Sequence, residues 1–122
     1  MGAKPPRIWG ERVYDGEDRE LYIRLDTPTW FTWLATPTTV SFSYPVHDHV
    51  RGYLAGFMTV RKERRQRGES YWVAYRRCHG RLCKAYLGAT EALTKQCLDT
   101  LAQTFLAASQ GPGLPAGKDG DS

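Results

Sequence analysis

Residues 59–106 decide the fold of this chain, and they read TVRKERRQRGESYWVAYRRCHGRLCKAYLGATEALTKQCLDTLAQTFL. Runs of β-branched and aromatic residues are separated by turn residues such as Gly80, which predicts two or three short strands. Thr94 is a good helix N-cap, and apolar residues then recur with helical spacing. The predicted apolar stripe consists of Leu98, Leu101, Ala102 and Phe105. The stretch therefore predicts a small antiparallel sheet with three core strands, backed by one C-terminal helix.

The preceding segment adds candidate strands and a short helix. Alternating apolar residues predict one strand within residues 17–26, and residues 38–44 predict a second strand that ends at Pro45. Between them, Thr27 followed by Pro28 is a helix-start signal. The helix that follows is short and Trp-rich, and we expect its large side chains to be core anchors. These anchors are Trp30, Trp33 and Leu34.

The chain is long enough for one small domain. We expect residues 1–16 to form a flexible N-terminal arm and residues 109–122 a disordered tail, because both are rich in Gly, Pro and charge. We expect residues 17–108 to form a single α+β domain whose core unit of three strands and a helix spans residues 57–108. We also expect the N-terminal strands to extend this sheet and residues 46–56 to be a loop.

Basic residues are concentrated in the core unit. Residues 61–84 contain nine basic side chains and two acidic ones, a formal charge of +7 in a chain of net charge +4. The nine are Arg61, Lys62, Arg64, Arg65, Arg67, Arg76, Arg77, Arg81 and Lys84. Aromatic residues interleave with them, so this part of the chain suits a polyanion such as nucleic acid.

Alternation predicts which face of the last strand is exposed. Lys84 and Tyr86 share one side of that strand. The other side consists of Cys83, Ala85 and Leu87, which are smaller and more apolar, and we expect it to pack on the helix. In the preceding strand, residues 70–77, the alternation does not predict whether the side that holds Trp72 or the other side faces the helix.

No pattern in the chain predicts catalysis, a cofactor or a metal site. His47 and His49 are close in sequence but have no Cys or His at metal-site spacing, so we expect them in a solvated loop. Cys83 and Cys97 are expected to be small buried residues, and Cys78 to lie in a hairpin turn. An odd number of cysteines, with no signal peptide and no long apolar run, favours a reducing, cytoplasmic location without membrane association.

The segment YWVAYRRCHGRLCKAYLGATEALTKQCLDTLA resembles the Arm-type DNA-binding domain at the N-terminus of tyrosine-recombinase phage integrases. The shared features are an aromatic strand with Arg, a Gly hairpin, a basic strand ending in Leu-Gly, and a Leu-Thr helix start. Residues 27–106 resemble more closely, in sequence, an N-terminal segment of bacterial LuxR-type, maltose-regulator-like transcriptional regulators. The stretches that carry this resemblance include TWFTWL, SFSY and TVRKERRQRG. Both resemblances imply a DNA-binding module linked to transcription or to a mobile element.

The three-strand-plus-helix unit also resembles the plant ethylene-response-factor domain, in which the outer face of the sheet lies in the DNA major groove. That resemblance implies outward positions for Trp72 and Arg76. Together with the basic run, it indicates ten candidate nucleic-acid-binding residues: Arg61, Lys62, Arg64, Arg65, Arg67, Trp72, Arg76, Arg81, Lys84 and Tyr86.

Three functions stay open at this point, beside the possibility that the basic surface serves only solubility. The leading prediction is duplex DNA binding through the basic sheet. RNA or single-stranded nucleic acid is the alternative, because exposed aromatic rings stack on unpaired bases. The third is a protein-interaction module that uses the Trp-rich half, and the sequence also leaves a protein partner or a homo-oligomer open.

Overall fold

The computed structural model describes residues 4–64 and 68–109, so nearly all of the predicted disordered tail lies outside the described residues. The strands in this range are β1 (Arg7–Trp9), β2 (Arg12–Tyr14), β3 (Glu20–Arg24), β4 (Ser41–Asp48), β5 (Tyr53–Arg64), β6 (Ser70–Cys78) and β7 (Arg81–Gly88). The helices are α1 (Pro28–Ala35) and α2 (Lys95–Ser109), and a 3-10 turn (Thr90–Ala92) precedes α2. No helix among the described residues is both long enough and apolar enough to cross a membrane.

All seven strands belong to one sheet, in the order β3-β2-β1-β4-β5-β6-β7. Every neighbouring pair is antiparallel except β1 and β4, which are parallel. The predicted α+β class is confirmed. The predicted three-strand unit corresponds to β5, β6 and β7 at one end, and the rest of the sheet continues from it through four further strands.

The expected flexible arm is wrong for residues 7–14, which form a hairpin inside the sheet. Ile8 and Val13 pair across β1 and β2, and both are fully buried. Gly10 turns the chain with a φ of +63°, a conformation that glycine adopts without strain. The Ser43 amide donates to the Pro6 carbonyl at 2.8 Å and so ties the hairpin to β4. Each short strand carries one core residue, which is too little for a periodic signal.

The expected loop at residues 46–56 is instead the end of β4, a tight turn and the start of β5. Pro45 does not stop the strand, because it pairs with Phe57 and the chain remains extended to Asp48. The buried Asp48 carboxylate then accepts hydrogen bonds from the Val50 and Arg51 amides at 3.1 and 2.9 Å. These bonds reverse the chain together with Gly52, which has a φ of +78° and whose amide donates to the Asp48 carbonyl at 2.7 Å.

Helix α1 places Trp30 and Leu34 in the core, as the sequence predicts. Thr27 caps the helix by accepting from the Trp30 amide. Trp30 and Leu34 are fully buried, which confirms them as core anchors, whereas Trp33 is half-buried. The Trp30 indole N–H donates to the Leu93 carbonyl at 2.8 Å, so the buried polar edge of the ring is satisfied just before α2 begins.

Helix α2 begins as predicted, because the Thr94 hydroxyl accepts from the Cys97 amide at 3.2 Å. Its buried face is rotated slightly from the predicted stripe, since Leu101 is only half-buried. The buried residues are Leu98, Ala102, Phe105 and Leu106. They pack against β4 and β6 and belong to the same core cluster as Trp30, so both helices cover one face of the sheet.

We expect Leu98→Ala to lower the free energy of unfolding by about 2–5 kcal/mol, because Leu98 is fully buried and the truncation leaves a cavity. Urea unfolding followed by circular dichroism measures the change. The matched control is Leu82→Ala, since Leu82 is 57% exposed. Equal stability of the two variants would contradict the packing of α2 on the sheet.

The Tyr44 hydroxyl links β4 to α2 by donating to Asp99 Oδ1 at 2.6 Å. Burial raises the pKa of Tyr44, and the hydrogen bond to Asp99 raises it further. The phenol therefore ionises less readily in the folded chain than in the unfolded chain, where its pKa is about 10. Its contribution to stability is complete below that pH and declines above it.

We therefore expect Tyr44→Phe to show a shallower loss of stability between about pH 9 and 11 than the parent protein. Urea unfolding across that range measures the slope, and Tyr22→Phe serves as the control because Tyr22 is on the surface. If the stability of the parent protein and of Tyr44→Phe declined equally with rising pH, the Tyr44 hydroxyl would not be the cause of the loss of stability at high pH.

Candidate nucleic-acid interface

The sheet face opposite the helices, here called the outer face, is covered by neither α1 nor α2. Residues paired across adjacent strands point to the same side, so the register identifies the outer face from β5 to β7. Its members are Phe57, Thr59, Arg61, Glu63, Tyr71, Val73, Tyr75, Arg77, Leu82, Lys84 and Tyr86. Three of the predicted site residues, Arg61, Lys84 and Tyr86, come together on this surface.

Cations and aromatic rings are in direct contact on the outer face. Arg61 Cζ lies 5.7 Å and Lys84 Nζ 5.8 Å from the ring centroid of Tyr75. The rings of Tyr71 and Tyr86 pack against each other with centroids 5.6 Å apart. We call Arg61, Tyr71, Tyr75, Lys84 and Tyr86 the basic-aromatic cluster. Such contacts hold long side chains in place while their charges remain near the surface.

One acidic residue lies beside this cluster. Glu63 accepts hydrogen bonds from the hydroxyls of Tyr71, at 3.4 Å, and Tyr75. The bond to Glu63 is the main reason why the pKa of Tyr75 is raised. Glu63 thus orients two phenols, but it also offsets one positive charge on the surface.

The outward position implied for Trp72 is wrong. Trp72 is 0% exposed, and its ring centroid lies 5.7 Å from that of Phe42 in the core. Its indole N–H donates to the Thr90 hydroxyl at 3.2 Å. The register places Trp72 beside Lys62 and, two residues on, Ala74 beside Val60, so this side of β6 faces the helices. Burial of a large indole favours the covered face.

Arg76 and Lys62 lie on the same inner side of the sheet as Trp72. Arg76 Nη2 donates to the Ala55 carbonyl at 3.0 Å, so its guanidinium stabilises the fold. The outward position expected for Arg76 is therefore also wrong. Lys62 Nζ lies 5.3 Å from the Trp72 ring centroid and donates to the Thr36 carbonyl at 3.1 Å. Partial burial lowers the pKa of Lys62.

Arg64 and Arg81 lie at the ends of strands β5 and β7. Arg64 and Arg81 are exposed, but each occupies the inward set of positions on its strand. Arg65 and Arg67 lie outside the described residues. Arg77, which is not among the ten candidates, is exposed, and the register puts it on the outer face.

The last strand is oriented as predicted, because Cys83, Ala85 and Leu87 pack against the core. The predicted roles of the cysteines change, however, since Cys78 is buried at the end of β6 whereas Cys83 and Cys97 are half-buried. Burial raises the pKa of Cys83 to about 11, and a hydrogen bond with Cys78 contributes. This thiol is therefore protonated near neutral pH and is a poor nucleophile.

The outer face continues beyond β5 toward the N-terminal hairpin. Trp9 is 44% exposed, with its ring centroid 6.3 Å from Phe57 and 5.7 Å from His47. Arg7 Cζ lies 5.8 Å from the Phe57 ring centroid. Trp9, Arg7 and Phe57 contribute to a shallow concavity of about 490 Å³. His47 thus lies at the end of β4 and not in the solvated loop expected for it.

The fold and this surface define an α+β protein with one helix-covered sheet face and one face bearing basic and aromatic side chains. No protein-family model, no curated protein and no solved structure matches the chain.

Proposed function

We propose that this chain binds duplex DNA through the outer face of β5, β6 and β7. The observation that carries the proposal is the basic-aromatic cluster, in which Arg61 and Lys84 flank the Tyr75 ring on the face that the helices leave uncovered. Arg77 adds a third cation to that face, and the β5–β6 connection carries Arg65 and Arg67 in the sequence. Guanidinium and ammonium groups that project from one surface suit rows of phosphate oxygens.

The shape of the region agrees with this function. The major groove of B-DNA is about 12 Å wide and admits a two-stranded β-ribbon. Here β6 and β7 form the hairpin at one edge of the sheet, closed by a two-residue turn at His79 and Gly80, and the tip of this hairpin lies beyond the pairing of β6 with β5, which ends at Tyr75. The resemblance to Arm-type and plant ethylene-response-factor domains supports the same use of a sheet. With Trp72 in the core, base contacts would come from Arg61, Lys84 and Tyr86.

The setting proposed for this activity is the cytoplasm of a bacterium. The resemblance to LuxR-type, maltose-regulator-like proteins supports a role in transcription, and the integrase resemblance supports a link to mobile elements. Docking of a partner on the Trp-rich helix is less favoured, because Trp30 and Leu34 are already buried in the core.

Single-stranded nucleic acid is the second candidate, and one observation favours it. Tyr86 is 62% exposed and packs beside Tyr71, so the two rings offer a platform on which an unpaired base could stack. Competition between duplex and single-stranded oligonucleotides for a labelled duplex distinguishes the two. Stronger competition by the duplex supports the first proposal, and stronger competition by the single strand replaces it with the second.

We expect the affinity for random-sequence duplex DNA to fall with salt at a log–log slope of about −4 to −5, which corresponds to about four to six neutralised phosphates. Arg61→Ala should reduce that slope by about one unit. Arg24→Ala is the matched control, because it removes the same charge from β3, where Arg24 pairs with Glu11. Fluorescence anisotropy at several salt concentrations measures the slopes. Equal effects of the two variants would show that the outer face is not the binding surface.

Glu63→Gln should tighten DNA binding, because it removes the negative charge beside the cluster while keeping an acceptor for the Tyr71 and Tyr75 hydroxyls. The gain should be largest at low salt, where surface charges are least screened. Glu17→Gln controls for net charge, since Glu17 is exposed in the N-terminal region. Anisotropy titrations on all three proteins give the comparison, and equal tightening by both variants would contradict a local role for Glu63.

A further inference from the structure

The two edges of the sheet are built differently. Edge strand β3 has five residues, and Tyr22 within it has a φ of +60°, which breaks the extended conformation. Glu20 and Arg24 on this strand form ion pairs with neighbouring residues. Short length, backbone irregularity and charge are the features by which proteins keep an edge strand from pairing with another chain.

Edge strand β7 has less of this protection, because its register shift lies at its C-terminal end, between the Trp72–Gly88 and Val73–Tyr86 pairs. It is eight residues long and contains no proline, and Lys84 is the single charged residue in its interior. Leu82 and Tyr86, both large, are exposed on it. A long edge with exposed apolar side chains is suited to accept another strand.

An uncharged groove lies between β7 and α2 at this edge of the sheet. Helix α2 packs on β4 and β6, which leaves a groove of about 450 Å³ between α2 and β7. Its lining residues are Tyr86, Leu87, Thr94, Gln96, Cys97, Thr100, Leu101 and Thr104. The two charged residues of α2, Lys95 and Asp99, pair with each other at 2.8 Å, and Asp99 also bonds to Tyr44. The groove therefore favours an uncharged partner surface.

We propose that β7 pairs with β7 of a second copy of this chain, antiparallel, with Ala85 on the two-fold axis. Directly opposed residues in an antiparallel pair lie on the same face, so only registers that match the two faces join two of these sheets smoothly. Centring the pair on Ala85 satisfies this condition. It places Lys84 opposite Tyr86 of the second copy on the outer face.

The Ala85-centred register also suits the inner face. Cys83 then lies opposite Leu87 of the second copy, and both belong to the half-buried set that packs on the core. A register centred on Lys84 would instead oppose two ammonium groups, which is unfavourable. Of these two registers, the Ala85-centred one avoids opposing two ammonium groups directly and pairs half-buried side chains on the inner face.

The proposed dimer joins the β7 edges of the two copies in one interface, and it brings the groove beside β7 in each copy to that interface. A two-fold axis perpendicular to the sheet makes the contact isologous, so the assembly closes at two copies. It also keeps the two basic-aromatic clusters on the same side of one continuous sheet. The partner is a second copy of this chain, and the contact needs no nucleic acid.

Sedimentation equilibrium of the full chain without nucleic acid tests the proposal, and we expect a reversible dimer. Tyr86→Lys should raise the dimer dissociation constant by about tenfold, because it opposes two ammonium groups at two symmetry-related positions. Adding Lys84→Glu to Tyr86→Lys should restore dimerisation, since each repulsive pair becomes an ion pair. Leu21→Lys, on the β3 edge, is the control and should leave the dimer unchanged.

Disulfide trapping tests the register. Opposed Cα atoms in an antiparallel pair are about 4.5–5.5 Å apart, within disulfide range. With Cys83 and Cys97 replaced by Ser, Ala85→Cys should cross-link two copies under mild oxidation, and Lys84→Cys should not. A parent protein that stays monomeric at high concentration overturns the proposal, as does cross-linking through Lys84→Cys in preference to Ala85→Cys. Neither result bears on DNA binding by the outer face, which is measured separately.

Discussion

The structure depends on one constraint, which is that both helices cover the same face of a single sheet. Trp30 from α1 and Leu98 from α2 meet the sheet in one core, so the apolar surface of the chain is gathered on that side. The opposite face must remain stable in water without an element over it. It does so with long side chains that lie on aromatic rings, as Arg61 and Lys84 do on Tyr75. The candidate interface is thus a consequence of the one-sided architecture.

Local signals predicted the C-terminal half well. The β6–β7 hairpin turns at His79 and Gly80, both with positive φ, and its strands have the expected length. The N-terminal half depends on distant contacts. Strand β1 has three residues and is held by β4, far away in sequence, so no local pattern identifies it. The turn after Asp48 uses a buried carboxylate as the turn-forming group, and its sequence resembles an ordinary loop.

The same distinction explains which site residues the sequence could predict. In β7 the two sides differ in size and polarity, so Lys84 and Tyr86 were assigned to the outer face correctly. In β6 each side contains both aromatic and basic residues, and alternation alone does not choose between them. Trp72 lies on the inner face because it packs on Phe42, which belongs to β4, a strand that is not adjacent to β6. A residue such as Arg76 then becomes structural, because its guanidinium reaches a backbone carbonyl at the margin of the core.

The packing of the aromatic core also gives this protein a built-in optical signature. The rings of Trp30 and Trp33 stack with centroids 5.5 Å apart, close enough for their electronic transitions to couple. Phe42 links this pair to Trp72, so three of the four tryptophans in the chain report on one packed cluster. Trp9, on the outer face, reports on a different surface. Near-ultraviolet circular dichroism would follow the core, while collisional quenching of tryptophan fluorescence would act most strongly on Trp9, the most exposed of the four, so the two faces of the sheet can be compared without an added label.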